Sequence, residues 1–183
     1  MSRDPIERLL AEHVTLMARL APLRRTLEAL RESAAEPDEA QLAVLRDGAH
    51  VLTTDLIAHA RREDDVFFPA VEAAIGGAFG PTSVMRREHA DIHDGADRFR
   101  ATLHELHEVQ HPAIVAGGER LTALVQGDAA DAGVLRVLGA QLLDLIDGHF
   151  AKEEQILFPM SRNLLGTAGL EQVARELDAF DAH

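Results

Sequence analysis

Two stretches of the chain hold the residues most able to do chemistry, and one copies the other. His149 and Glu153 stand in His149-Phe150-Ala151-Lys152-Glu153-Glu154-Gln155-Ile156-Leu157-Phe158-Pro159. The earlier copy is His59-Ala60-Arg61-Arg62-Glu63-Asp64-Asp65-Val66-Phe67-Phe68-Pro69. His, Glu, a second acid, Phe and Pro recur at the same offsets, 149 − 59 = 90 residues apart. The apolar flanks, with no Gly inside, predict helix. On a helix, positions i and i+4 lie about 40° apart around the axis and about 6 Å apart along it, so each His and its Glu project from one face. An imidazole nitrogen beside a carboxylate is half of a metal site. Two such helices facing each other would bring two His and two Glu to one point in a bundle core.

The composition agrees with helices as the scaffold. In 183 residues, 46% are hydrophobic and only 4% aromatic, with Ala, Leu, Glu and Arg dominant, which predicts one all-α domain with a real core. Net charge is 18 − 31 = −13, which disfavours nucleic acid and anionic membrane as partners. Cys is absent, which excludes disulfides, thiolate metal sites and iron–sulfur clusters. Trp and Tyr are absent too, so a tyrosyl radical has no residue to use. Met1-Ser2-Arg3-Asp4-Pro5 offers no signal-peptide core and no run could span a bilayer, so the expected location is cytoplasmic.

Four long helices and a short fifth are predicted. The first opens with Asp4 as N-cap, Pro5 and Glu7. It carries Ile6, Leu9, Leu10, His13, Leu16, Met17 and Leu20 at helical spacing and continues past a kink at Pro22. After a loop at Ala34-Ala35-Glu36-Pro37, Asp38 and Gln41 form the capping box of the second helix, which holds His59 and Glu63 and ends before Gly76-Gly77. The third begins around Thr82 or Ser83, carries His89 and His93, and should break at Pro112. After the diglycine Gly117-Gly118 and a loop from Gly127 to Gly133, the fourth holds His149 and Glu153 and passes Pro159. The fifth, about Ala168 to Phe180, is expected to pack outside the bundle. Glu12-His13 corresponds to Glu88-His89 at an offset of 76, so the halves are two helix pairs, the second longer by 90 − 76 = 14 residues.

The candidate metal ligands are therefore His13, His59, Glu63, His89, His93, His149 and Glu153, each on the apolar face of its helix. One His in an apolar stripe is an ordinary hydrogen-bonded core residue. Five His and two Glu on four stripes are another matter, because burying them without a metal is costly. Asp64 and Glu154 read as solvated neighbours of the two acids. His104, His107 and His111, with Glu108, read as a solvated face, and His50 and His183 receive no role.

A lone His, then H-x-x-x-E, then H-x-x-x-H, then H-x-x-x-E with Phe-Pro after it resembles the hemerythrin family of HHE cation-binding domains, over residues from about 5 to 160. The resemblance implies an up-down four-helix bundle over 1–160, with 161–183 as a helical appendage packed on it. It implies two non-haem iron ions with an oxo or hydroxo bridge, Glu63 and Glu153 bridging both. His89, His93 and His149 would bind one iron; His13 and His59 would bind the other. The oxygen-carrying members end with His and Asp five residues apart, whereas His149 and Glu153 are four apart, and the longer Glu reaches back to the same place. His93 moves the chain toward those carriers. On this ligand set the iron on three His is closed. The iron on His13 and His59 keeps an open position, with Met17 lining it. The implied function is binding or sensing of dioxygen or a related ligand such as nitric oxide. Peroxide disproportionation or reduction at the same centre, and iron handling, are the alternatives.

Overall fold

The computed structural model describes residues 4–33, 37–78, 80–104 and 132–182. Residues 34–36 of the expected 34–37 loop, the break at Pro112, the diglycine, residues 127–131 of the expected 127–133 loop, the His107, Glu108 and His111 stripe, and His183 lie outside the described residues, while Ala132 and Gly133, expected as loop, are already helical. Every long element among the described residues is helical, and none of these helices is long and apolar enough to cross a membrane.

Helix α1, Pro5–Ser33, starts where Asp4 Oδ1 accepts from the backbone N–H groups of Ile6 (2.9 Å) and Glu7 (3.3 Å), and it runs through Pro22. Helix α2 spans 39–75: Glu39–His50 is α-helical, Val51–Asp55 is a π turn, Leu56–Arg62 is α-helical, Glu63–Phe67 is a second π turn and Phe68–Ile75 is α-helical. Its capping box is complete, Gln41 N–H donating to Asp38 Oδ1 at 2.8 Å and Asp38 N–H to Gln41 Oε1 at 2.9 Å. Gly76 ends it with φ of 85°, the left-handed conformation that glycine adopts without penalty. Helix α3 is Pro81–His104, its first residue the proline after Gly80. Helix α4 comprises Ala132–Lys152, the π turn Glu153–Leu157 and the residues from Phe158 to a backbone break at Gly166 (φ 57°, ψ −174°); α5 follows, 167–180.

The four long helices pack in a ring, α1 against α2, α2 against α3, α3 against α4 and α4 against α1. The pattern that aims each inner face is a heptad. On α1 the buried residues after Pro5 are Ile6, Leu9, His13, Leu16, Leu20, Leu23, Leu27 and Leu30, in steps alternating between three and four. On α3 they are Thr82, Met85, His89, Ile92, Ala96, Phe99 and Leu103, each 76 positions after its α1 counterpart. A mean step of 3.5 keeps one seam against its neighbours along the whole helix.

The core this builds is in two parts. One apolar cluster contains Leu16, Leu23, Leu45, Leu52, Ile92, Phe99, Leu142 and Phe150. The other contains Ile6, Leu9, Phe67, Phe68, Met85, Leu157 and Phe158, with Val173 and Leu177 of α5. Both α5 residues are fully buried, so the last helix completes the core at that end of the bundle. Between the clusters lie His13, His59, Glu63, His89, His149 and Glu153, a polar layer across the bundle.

Candidate metal centre

Two local devices deliver the acids of this layer. The i, i+4 spacing places His59 Nε2 3.5 Å from Glu63 Oε2 and His149 Nε2 3.3 Å from Glu153 Oε1. Each Glu then opens a π turn, in which Phe68 N–H donates to Glu63 O and Phe158 N–H to Glu153 O. A proline inside a helix lacks an N–H and crowds the carbonyl four residues back. The wider turn before Pro69 and Pro159 takes up that crowding, so both helices run on. The repeated Phe covers an imidazole. Phe68 stacks on His89 (5.6 Å, 13°) and Phe158 on His13 (5.6 Å, 27°), the same pairing in each half. Phe150 lies flat on His13 at 3.9 Å.

The inward atoms form two groups of four that share both carboxylates. His13, His59, Glu63 and Glu153 make one; Glu63, His89, His149 and Glu153 make the other; within each group the ligand atoms lie within 4.8 Å of one another. His13 Nε2 faces His59 Nε2 at 3.0 Å, and His89 Nε2 faces His149 Nε2 at 2.9 Å. Glu63 also reaches His89 (3.4 Å), and Glu153 reaches His13 (3.3 Å). All four oxygens of Glu63 and Glu153 are buried without a hydrogen-bond donor. Buried polar groups are nearly always satisfied, and orphaned carboxylate oxygens beside inward imidazole nitrogens are what a cation would complete.

Outside this layer runs a ring of four acids, one on each ring Nδ1. Glu12 of α1 accepts from His59 of α2 at 2.9 Å, and Glu88 of α3 holds His149 of α4 at 3.1 Å. Glu154 of α4 holds His13 of α1 at 2.8 Å. Asp64 Oδ1 of α2 lies 3.1 Å from His89 Nδ1 of α3, within ion-pair distance but off the line of a hydrogen bond, since that nitrogen is also without a well-aligned acceptor. Each helix thus steadies a His on the next, closing a circle. A carboxylate on Nδ1 keeps that nitrogen protonated and turns an Nε2 lone pair inward, and such partners also raise the basicity of ligating imidazoles. Two inward lone pairs about 3 Å apart repel unless a proton or a metal ion is shared between them.

The electrostatics show the strain of this arrangement. Burial, then the charge of Glu63, pushes Glu153 up to about 8. Burial also raises Glu63, against its contacts with His89. His89 would be lowered by burial, but Asp64 and Glu63 beside it outweigh that and raise it to about 10. His149 is held down at about 2 by burial and then by the positive charge of His89. Burial raises Glu12, yet its bond to His59 and the charges of His59 and Arg62 leave it below the ordinary carboxylate value. Neighbouring groups driven in opposite directions mark a functional site.

Three sequence expectations need correction. His93 is not in the layer: its side chain is 54% exposed and Nδ1 pairs with Asp97 at 3.3 Å. The reason is the heptad, which after His89 takes Ile92, three residues on, and leaves the fourth facing outward. Met17 falls at the equivalent place on α1, partly buried against the apolar cluster. The expected contrast between a closed iron with three His and an open iron with two therefore fails, because each group has two His and the same two Glu. Asp64 and Glu154 are not idle solvated neighbours, since each sits on a ring nitrogen. Their signal was in the sequence: Glu12 and Glu88 recur at offset 76, Asp64 and Glu154 at offset 90. Replacing His93 by Ala should leave the metal content of the purified protein unchanged; loss of an ion on elemental analysis would return His93 to the centre.

The family model described as Hemerythrin HHE cation binding domain matches residues 4–126 and, separately, residues 104–182. No curated protein matches the chain, and no solved structure does.

Proposed function

We propose, from the premise that this chain belongs to the hemerythrin HHE cation-binding family, that its buried layer holds two non-haem iron ions and uses them to bind or sense dioxygen or a related small ligand such as nitric oxide. One observation carries the reading: two groups of two His and two Glu share both carboxylates. Four imidazole nitrogens and two carboxylates suit borderline divalent ions such as iron, and facing helices of a bundle are a usual place to build a two-metal site. Bound there, the ions would supply a redox centre for a small ligand.

The chain's own part is positioning and exclusion. The outer acids fix the Nε2 atoms inward, and the shared Glu63 and Glu153 would touch both ions. Phe150 and Phe158 cover His13, Phe68 covers His89, and the apolar clusters on either side keep water from the layer. A second reading, peroxide disproportionation or reduction at the same centre, draws on a chain without Cys, Tyr or Trp, the side chains most readily oxidised besides Met.

Protein from iron-replete cells should hold about two irons per chain. One zinc and no iron on elemental analysis would reject the reading. Stopped-flow spectra of the reduced protein should then show a persistent oxygenated species on mixing with dioxygen. Sustained gas evolution from peroxide without such a species would favour the second reading. Iron taken up and released with neither response would leave iron handling.

A further inference from the structure

Of the four acids that hold the imidazoles, Glu12 has surroundings that its repeat partner lacks. Its Oε2 accepts from His59 Nδ1 at 2.9 Å. Two guanidinium groups stand close by, Arg8 Nε 3.3 Å from Oε1 and Arg62 Nη1 3.4 Å from Oε2. Both also donate to a residue far along the chain: Asp181 accepts from Arg62 Nε at 2.7 Å and from Arg8 Nη2, and Arg8 Nη1 reaches Asp178 as well at 3.3 Å. Arg8 is only 10% exposed, so these contacts are shielded more than surface pairs are. On the other half, Glu88 meets Lys152, the counterpart of Arg62, but the counterpart of Arg8 is Val84.

We propose that Asp181, just beyond α5, is a positioning residue for the metal centre: it holds Arg8 and Arg62 back from Glu12 and leaves that carboxylate committed to His59 Nδ1. The inference rests on the reading of the buried layer as a metal centre. Without Asp181, Arg62 keeps only Glu12 and Arg8 keeps Glu12 and the exposed Asp178, so both cations lean further on Glu12. Glu12 is then drawn toward them, its bond to His59 lengthens, and His59 becomes a poorer and less well-aimed donor. The effect is local to the group containing His13 and His59, because no other outer acid contacts Arg8 or Arg62 among the described residues. It also gives α5 a second role. Val173 and Leu177 seat the helix in the core, and that seating delivers Asp181 to the two arginines.

The test uses the full chain loaded with zinc, a diamagnetic probe. Second-layer partners of metal-binding His are worth about 10- to 100-fold in metal affinity. Asp181 acts one step further out, so Asp181→Ala should release one of the two ions about three- to tenfold faster and leave the other unchanged. In spectra of the ring nitrogens it should move one of four Nδ1–H signals, and Asp181→Glu should restore both properties. In a Glu12→Gln background, Asp181→Ala should add nothing to the release rate. Equal weakening of both ions with a lower melting temperature, or the same effect in the Glu12→Gln background, would reduce Asp181 to a packing residue and overturn the proposal. A parent that binds two zincs beside an unaltered Asp181→Ala variant overturns it alone. A parent that binds no pair of ions overturns the metal reading itself, and this inference with it.

Discussion

Replacing Glu63 by Met should make the metal-free protein more stable while removing both ions from the loaded one. Glu63 is fully buried, both its oxygens lack a donor, and burial has already pushed its carboxyl upward. An apolar side chain of similar length removes that desolvation cost while still filling the space between the two clusters. His89 keeps Asp64 3.1 Å from its Nδ1, so what is removed is the cost of an orphaned buried carboxyl: the gain expected is about 2 kcal/mol, or about 4–8 °C in melting temperature for a chain of this length. The loss of metal should be complete rather than half, because Glu63 belongs to both groups of four. Glu153, buried and unsatisfied in the same way, should behave alike. Elemental analysis and melting curves in the presence of a chelator decide the matter. A variant that keeps one ion, or melts below the metal-free parent, would show that Glu63 is not a shared ligand held in place against stability.

Metal-free and metal-loaded protein should respond to pH in opposite directions. Without metal, three groups bind protons more tightly folded than unfolded. Glu63 is raised, Glu153 moves from 4.5 to about 8, and His89 moves from 6.5 to about 10. The stability they contribute is present at low pH and is lost as pH rises through those folded values. His149, lowered from 6.5 to about 2, works the other way but only below 6.5. Above pH 6.5 the metal-free protein should therefore weaken steadily. With metal bound, protons compete for the imidazoles and carboxylates, so affinity and stability rise with pH. One net proton over two pH units is worth about 2.7 kcal/mol. The gap between loaded and chelated melting temperatures should thus widen by at least about 5 °C between pH 6.5 and 8.5. Parallel curves would mean that the layer does not couple metal to protons.

These expectations share one physical origin. A heptad seam interrupted by six polar residues, with apolar clusters on both sides, trades folding free energy for a fixed set of donors. The acids on the Nδ1 atoms lie at the edge of that seam, partly exposed. Glu154 is the most open of them, at 43%, and it has no cation beside it among the described residues.

The helical class, the helix pairs and most of the layer follow from the order of the residues alone. His59, Glu63, His149 and Glu153 were legible because i, i+4 spacing is a local property, and the second copy 90 residues later made coincidence a poor explanation. Asp4, Asp38 and Gly76 announced helix ends through bonds made within a few residues. His13 and His89 were legible from the apolar stripe around them. Packing settled every choice between neighbours one residue apart. His93 satisfies i, i+4 from His89 as well as any ligand does, yet a seam with a mean step of 3.5 turns Ile92 inward instead. Asp64 and Glu154 looked like solvated acids because the rings they hold belong to other helices, 25 and 141 residues away in the chain (89 − 64 and 154 − 13). Asp181 was invisible for the same reason, meeting Arg8 across 173 residues. Local spacing fixes which side chains share a helix face. Which face meets which, and what stands behind each ring, depends on how the helices pack.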